Sequence, residues 1–263
     1  MNRRDDGSTR EIDKDYCWGR NQVLSLLEDD PSRCLKVFIA QNAQSSFSGK
    51  VMGLCRASKV PYSLVDSRAL DSMLEGENHQ GVAMSVSPVP MLDIQDAIAL
   101  LPPPPEPAMA VLLDHVQDPR NVGAVVRSAE AAGAAFVALP TRRGALPTGT
   151  VAKTSAGASL RLPIASVGNV AIAARNIQEA GLWAVGLDES ADGSIYDSPL
   201  PARCLLVVGN EGDGLTKTTR GACDEIMRIP MEGKTGSLNA SVAVSICMFE
   251  WLRVNRKNVK PTE

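Results

Sequence analysis

Beyond residue 107 the sequence alternates short apolar runs with stretches of helical character, and this alternation restricts the fold more than any other feature. AVLLD at 110 to 114, AFVALP at 135 to 140, LWAVGL at 182 to 187 and CLLVVG at 204 to 209 lack a polar face, so each reads as a strand buried on both sides. EIMRIP at 225 to 230 reads as a shorter strand. Helices are expected from Asn121 to Ala132, closed by Gly133, and over VAIAARNIQEA, stopped by Gly181. ASVAVSICMFEWLRV forms the last helix, with Val242, Ile246 and Phe249 at helical spacing. Strands and helices in this order predict an α/β fold, a parallel sheet with helices on both faces. Ligands on such sheets gather at the carboxyl ends of the strands.

The first third of the chain has a different texture. GRNQVLSLLED suggests a short amphipathic helix, LKVFIA at 35 to 40 a buried strand, VMGLCRASKV a helix, and YSLV and GVAMSV two more strands. This predicts a smaller α/β domain over 15–88. LLPPPPEPAM at 100 to 109 carries four consecutive prolines, which fit neither a helix interior nor a sheet ladder. A Pro-rich linker is therefore expected over 89–107, followed by a second domain over 108–254. The charged stretch MNRRDDGSTREIDKD lacks the apolar core of a secretory signal and predicts a disordered tail over 1–14, while residues 255–263 read as a basic tail.

Composition narrows the function. No apolar run reaches the roughly 18 residues that a membrane span needs. The six cysteines are widely spaced, without a C-x-x-C pair and with two histidines to assist them, so reduced thiols in a cytoplasmic protein and no bound metal are expected. A net charge of -3 argues against a strongly basic nucleic-acid binder but leaves room for local patches such as Arg142 with Arg143, or Lys217 with Arg220. A P-loop and the zinc-deaminase signature are both absent. His115 follows Asp114, but adjacent side chains on a strand point to opposite faces, which argues against a catalytic pair.

Three segments fall at predicted strand ends. NVGAVVR at 121 to 127 places an amide, a glycine and a guanidinium at the start of a helix. Gly123 lies four residues before Arg127 and so shares its helix face, leaving room beneath the arginine. Asn121 suits a helix cap or a ligand, and Arg127 a surface ion pair or a phosphate. In GNEGDGL, Gly209, Gly212 and Gly214 surround Glu211, a spacing unlike the dinucleotide fingerprint but one that allows close approach to the backbone. GSLNASVAVS leads into the last helix with Asn239 as a second candidate cap.

N-x-G-x-x-x-R at 121 to 127, NEGDGL at 210 to 215, and IPM followed by SLNASVA at 229 to 243 closely resemble, in order and spacing, the three motifs of the SpoU branch of the SPOUT RNA methyltransferases. KTSAGAS at 153 to 159 resembles a further family segment. GRNQVLSLLE, LKVFIA and NHQGVAM at 78 to 84 are similar to the small domain, resembling ribosomal protein L30e, that accompanies this branch in ribosomal and mitochondrial 2'-O-methyltransferases. The resemblance implies a deep trefoil knot in the C-terminal domain, which sequence physics alone disfavours. It also implies S-adenosyl-L-methionine as cofactor and a homodimer.

By the same resemblance Leu187, Gly209, Asn210, Gly212, Ile229, Met231, Ser237, Leu238 and Asn239 would hold the cofactor. Arg127 would be the catalytic group, with Asn121, Glu211, Ser237 and Asn239 orienting it, the nucleotide and the methionine end of the cofactor. Arg127, Arg142, Arg143, Lys153 and Ser155 would meet RNA. Deprotonating an arginine near pH 7 costs roughly 7 kcal/mol, so a phosphate clamp that stabilises the developing alkoxide is the preferred role. Alignment of the reactants alone supplies a comparable amount, about 7 to 11 kcal/mol. The implied product is a 2'-O-methylated ribose, with a large-subunit rRNA guanosine favoured. A tRNA methyltransferase and a non-catalytic RNA-binding or ribosome-assembly protein on the same fold are the alternatives.

Overall fold

A computed structural model describes residues 15–87, 91–141, 151, 154–155, 158–233 and 236–255. The chain divides into two compact units, Met1–Pro88 and Val89–Glu263. The expected tails at 1–14 and 256–263 lie outside the described residues.

The first unit runs β1 (Asp15–Trp18), α1 (Arg20–Asp29), a 3-10 turn (Pro31–Arg33), β2 (Cys34–Ala40), α2 (Ser45–Ala57), β3 (Tyr62–Val65), α3 (Ser67–Met73) and β4 (Val82–Val86). Its sheet has the order β1-β4-β2-β3. β4 is antiparallel to both β1 and β2, while β3 is parallel to β2. β1 and α3 are additions to the sequence reading: DYCW is too short to show alternation, and SRALDSM buries one leucine, Leu70. A local signal did mark the start of α3, because the Asp66 side chain caps it by accepting from the Arg68 N–H at 2.8 Å.

The second unit continues with β5 (Leu92–Asp93), α4 (Ile94–Ile98), β6 (Ala108–Asp114), α5 (Pro119–Ala132), β7 (Val137–Pro140), β8 (Ile164–Val167), α6 (Val170–Glu179), β9 (Trp183–Leu187), β10 (Gly193–Ser194), β11 (Arg203–Gly209), α7 (Lys217–Arg220), β12 (Glu225–Arg228) and α8 (Ala240–Asn255). Eight strands pair in the order β10-β12-β9-β11-β6-β7-β8-β5, every pairing parallel. Alternate residues of β6 serve opposite faces. Met109, Val111 and Leu113 join α5 and α8 in one core, and Ala110 and Leu112 join α4 and α6 in the other. Among the described residues no helix is long and apolar enough to cross a membrane.

Three expectations change here. The segment expected as a linker over 89–107 carries β5 and α4; β5 extends the eight-stranded sheet beside β8, and Ala97 of α4 is buried in its core. The prolines at 102 to 105 thus interrupt the second unit instead of dividing it from the first. α5 begins at Pro119, two residues before the expected start, because Asp118 caps it by accepting from the Arg120 N–H at 2.8 Å and Pro119 needs no donor at the first position. Gly133 ends the helix at φ 74°, as expected. On α8 the buried stripe is Ala240, Val244, Cys247, Met248 and Trp251, while Val242 and Phe249 are exposed.

Candidate functional site

Because every strand of the large sheet runs the same way, the carboxyl ends of four of them meet along one edge. Gly209 pairs with Asp114, Val208 with Leu187, and Leu187 with Met227. The chain after β11 turns sharply there. Asn210 organises that turn: its Oδ1 accepts from the Gly212 and Asp213 N–H groups at 2.9 and 2.7 Å, and its carbonyl accepts from the Gly214 N–H at 3.2 Å. Gly214 takes φ 65°, and a Cβ on Gly209 would lie 2.0 Å from the Gly214 carbonyl, so the turn folds back on a residue that must lack a side chain.

Above this edge lies a cavity of about 230 Å³. Leu187, Gly209, Asn210, Gly212, Ile229, Met231, Ser237 and Leu238, all expected to hold a cofactor, line it. Glu211 lines it too, with Asp188, Glu189, Asp213 and Arg228. Asn239 is not part of this lining and does different work.

Three polar side chains from three segments form one hydrogen-bonded chain. Asn239 caps α8: its Oδ1 accepts from the Ser241 N–H at 2.9 Å and the Ser241 hydroxyl at 2.6 Å. Its Nδ2 donates to Asn121 Oδ1 at 3.0 Å, and Asn121 Nδ2 donates to Glu211 Oε1. A helix N–H can only donate and a carboxylate can only accept, so the two ends fix the orientation of both amides. Asn121 is therefore not a helix cap but the bridge between the other two motifs. Among the described residues the second carboxylate oxygen of Glu211 has no hydrogen-bond partner.

Arg127 stands apart. It sits six residues after Asn121, about 9 Å further along the helix axis. It is exposed and has no hydrogen bond or ion pair among the described residues. The room expected beneath it at Gly123 is filled, since a Cβ there would meet Thr154 Oγ1 at 2.1 Å. Ser155 was expected to touch RNA; it is 1% exposed and its hydroxyl donates to Ser159 at 3.2 Å, which makes it part of the packing. Arg142, Arg143 and Lys153 lie outside the described residues.

Two side-chain arrangements at this edge escaped the sequence reading. Asp114, fully buried, accepts from the Thr216 N–H at 2.7 Å and pairs with His115 Nδ1 at 2.6 Å. The strand-alternation argument against that pair fails because β6 ends at Asp114 and His115 turns to φ 61°. Asp188 receives the Ser190 N–H at 2.8 Å and pairs with Arg220. Burial opposes ionisation of Asp188, but the Ser190 hydrogen bonds and the Arg220 guanidinium outweigh it and hold the carboxyl below its usual range. Thr216 and Arg220 follow the second motif by one to five residues, where no periodicity marks them. Among the described residues no group of three or more His, Cys, Asp or Glu could hold a metal ion.

Comparison with known proteins bears on the whole chain. The family model described as SpoU rRNA Methylase family matches residues 108–249, and that described as RNA 2'-O ribose methyltransferase substrate binding matches 16–92. The 23S rRNA (guanosine-2'-O-)-methyltransferase RlmB of Vibrio cholerae serotype O1 is 36% identical over 247 residues, covering 94% of this chain and 100% of the relative. The protein of the same description from Escherichia coli K12 is 37% identical, covering 90% and 97%. Among solved structures, the SpoU methyltransferase AviRb from Streptomyces viridochromogenes in complex with AdoMet is 26% identical with a TM-score of 0.74, covering 91% and 89%.

Proposed function

The chain belongs to the SpoU rRNA methylase family, and on that premise we propose that it transfers a methyl group from S-adenosylmethionine to the 2'-hydroxyl of a guanosine ribose in 23S rRNA. The observation that carries this reading is the coincidence of the backbone-rich cavity with the Asn239–Asn121–Glu211 chain at its rim. RNA and guanosine come from the full-length likeness to the Vibrio and Escherichia enzymes.

The residues present fit this cofactor. Leu187, Ile229, Met231 and Leu238 offer apolar surface for a purine, and Asp188, Glu189, Glu211 and Asp213 give an acidic lining suited to a ligand carrying an ammonium and a sulfonium. Bound there, S-adenosylmethionine supplies an electrophilic methyl on cationic sulfur. The protein's tasks are to align a ribose hydroxyl and to ease loss of its proton. Glu211, oriented by Asn121, holds a ribose or amine hydrogen with its remaining oxygen. Ser237 and Asn239 support the methionine end. Arg127 grips a phosphate with its planar fork and stabilises the developing alkoxide.

The finer family features belong to the same reading: a knotted path through the C-terminal sheet, a first domain resembling ribosomal protein L30e, a cytoplasmic location and a homodimer. Support for the dimer comes from Val242 and Phe249, apolar and exposed on α8, which packs against the α5 that carries Arg127. The deciding experiment is methyl transfer from labelled cofactor to 23S rRNA transcripts, followed by mapping of the ribose-methylated nucleotide. Label incorporated at a guanosine 2'-oxygen is the expected result. Transfer to tRNA alone replaces the substrate, and absence of cofactor binding by calorimetry overturns the enzyme reading.

A further inference from the structure

β9 ends at Leu187, and the next residue, Asp188, lines the cavity at the sheet edge. Its backbone N–H still donates to the Met227 carbonyl at 3.0 Å, which anchors it beside β12, two residues short of Ile229. Leu187 and Ile229 belong to the apolar part of the lining. The Asp188 carboxylate therefore stands at the border of the surface suited to a purine.

That carboxylate is fixed on two sides. Its Oδ1 accepts from the Ser190 N–H at 2.8 Å and from the Ser190 hydroxyl at 2.5 Å, which occupies both lone pairs. Its Oδ2 accepts from Arg220 Nη1 and keeps one acceptor site among the described residues. The Asp188 carbonyl accepts from the Ala191 N–H at 3.2 Å, closing the turn that carries Ser190. Arg220 is placed from behind: Thr216 caps α7 by accepting from the Thr219 N–H at 3.3 Å, and buried Asp114 binds the Thr216 N–H.

The other carboxylates of the lining differ. Glu189, Glu211 and Asp213 are exposed; Glu211 is turned to Asn121, and the side chains of Glu189 and Asp213 have no hydrogen bond or ion pair among the described residues. A free side chain must be ordered when a ligand arrives, whereas Asp188 is ordered beforehand. Arg220 already balances its charge, so a cationic ligand group gains more from the unpaired Glu189 and Asp213. The Asp188 carboxyl is held below its usual range, so at neutral pH it accepts hydrogen bonds and donates none. It suits a neutral O–H next to a purine. In a nucleoside that place belongs to the ribose, whose vicinal hydroxyls both donate, and carboxylates hold the same sugar in dinucleotide-binding folds.

We infer that Asp188, positioned by Ser190 and Arg220, accepts a hydrogen bond from a ribose hydroxyl of the cofactor's adenosine and thereby selects ribonucleosides over their deoxy forms. The inference rests on the S-adenosylmethionine reading and assigns one residue to the sugar. It is tested by calorimetry on the full-length chain, with S-adenosylhomocysteine and its 2'-deoxy and 3'-deoxy analogues as probes. The natural chain should bind one of the deoxy analogues about ten- to a hundredfold more weakly than the ribose form, the scale of a hydrogen bond to a charged group. Binding of both analogues within twofold of the ribose form overturns the inference without any substitution.

Asp188→Asn keeps the shape and replaces the free acceptor with a donor. It should erase the preference by weakening the ribose form while leaving the discriminated deoxy analogue within twofold. Equal weakening of all three ligands would make Asp188 a purely structural residue. Arg220→Ala should also reduce the preference, and joined to Asp188→Asn it should cause no further loss, because the guanidinium acts through the carboxylate. Additive losses would remove Arg220 from that role. If the natural chain binds neither S-adenosylhomocysteine nor S-adenosylmethionine, the cofactor reading fails and adenosine becomes the probe. Adenosine preferred over its 2'-deoxy or 3'-deoxy form would keep the assignment of Asp188, and no adenosine binding would overturn both.

Discussion

At the carboxyl edge of the eight-stranded sheet the candidate cofactor site is built on strand ends and a tight glycine turn, whereas the loop end of the four-stranded sheet offers mostly side chains. The first arises because β6 and β11 are buried along almost their whole length, so the atoms free to meet a ligand are those where the strands stop. The second arises because β3 is partly exposed and the unit is small, so its loops stay near water and keep polar tips. Main-chain sites tolerate little change in shape. Side-chain sites tolerate change in shape and fail through chemistry.

The largest effect should come from Gly209→Ala, which forces a methyl group into the Gly214 backbone. Overpacking of this kind costs about 1 to 3 kcal/mol, and calorimetry should find cofactor binding lost. Retained binding would mean that the edge is more plastic than the comparison allows. Next comes Arg127→Ala, expected to lower kcat by about 10² to 10³ with cofactor affinity unchanged, as loss of one preorganised donor does elsewhere. Full activity would remove Arg127 from the chemistry.

Asn239→Ser separates the two duties of one residue. Serine keeps the helix cap and cannot span to Asn121, so the thermal midpoint should hold while kcat falls by about tenfold, the scale of one lost hydrogen bond. A fall in stability with no change in kcat would make Asn239 a cap alone.

The units themselves can be compared through their thiols. Burial pushes the Cys34 thiol up to about 12, and burial likewise raises Cys223 and Cys247 to about 12. Raised thiols leave stability intact below the ordinary value of 9.0 and erode it as pH climbs from there to about 12. Because the smaller unit buries less surface to hold it folded, alkylation at pH 8 in rising urea should modify its Cys34 before Cys247 in the larger unit. Simultaneous modification would show one cooperative fold.

The smallest effect concerns Asp188. Its depressed pKa contributes stability above the unfolded carboxyl value, near 4, and this is lost as pH falls through the folded value. Asp188→Asn should flatten that part of an acid titration of the thermal midpoint, and an unchanged curve would refute the assignment.

Much of this was legible in the residues. Near-continuous apolar runs dictated a parallel sheet, and the resemblance to a known family marked eight residues that line the cavity. The short β5 was not legible, because two residues carry no period and their place beside β8 depends on chain far away. Nor was the exposed face of α8 visible, since Val242 and Phe249 fit a helical apolar stripe as well as the buried residues do. Hydrophobic spacing reports what repeats along the chain and is silent about which side a neighbour covers.

By itself, then, the sequence determined the strand and helix alternation, the glycine turn at 209 to 214 and the residue types at the site, because these depend on local periodicity and backbone sterics. Only tertiary structure decided that Asn121 would bridge Glu211 and Asn239, residues 90 and 118 positions away, and that Arg127 would stand clear of them. Hydrogen bonds are directional and short, so which polar groups meet is settled only when the sheet brings its loops together.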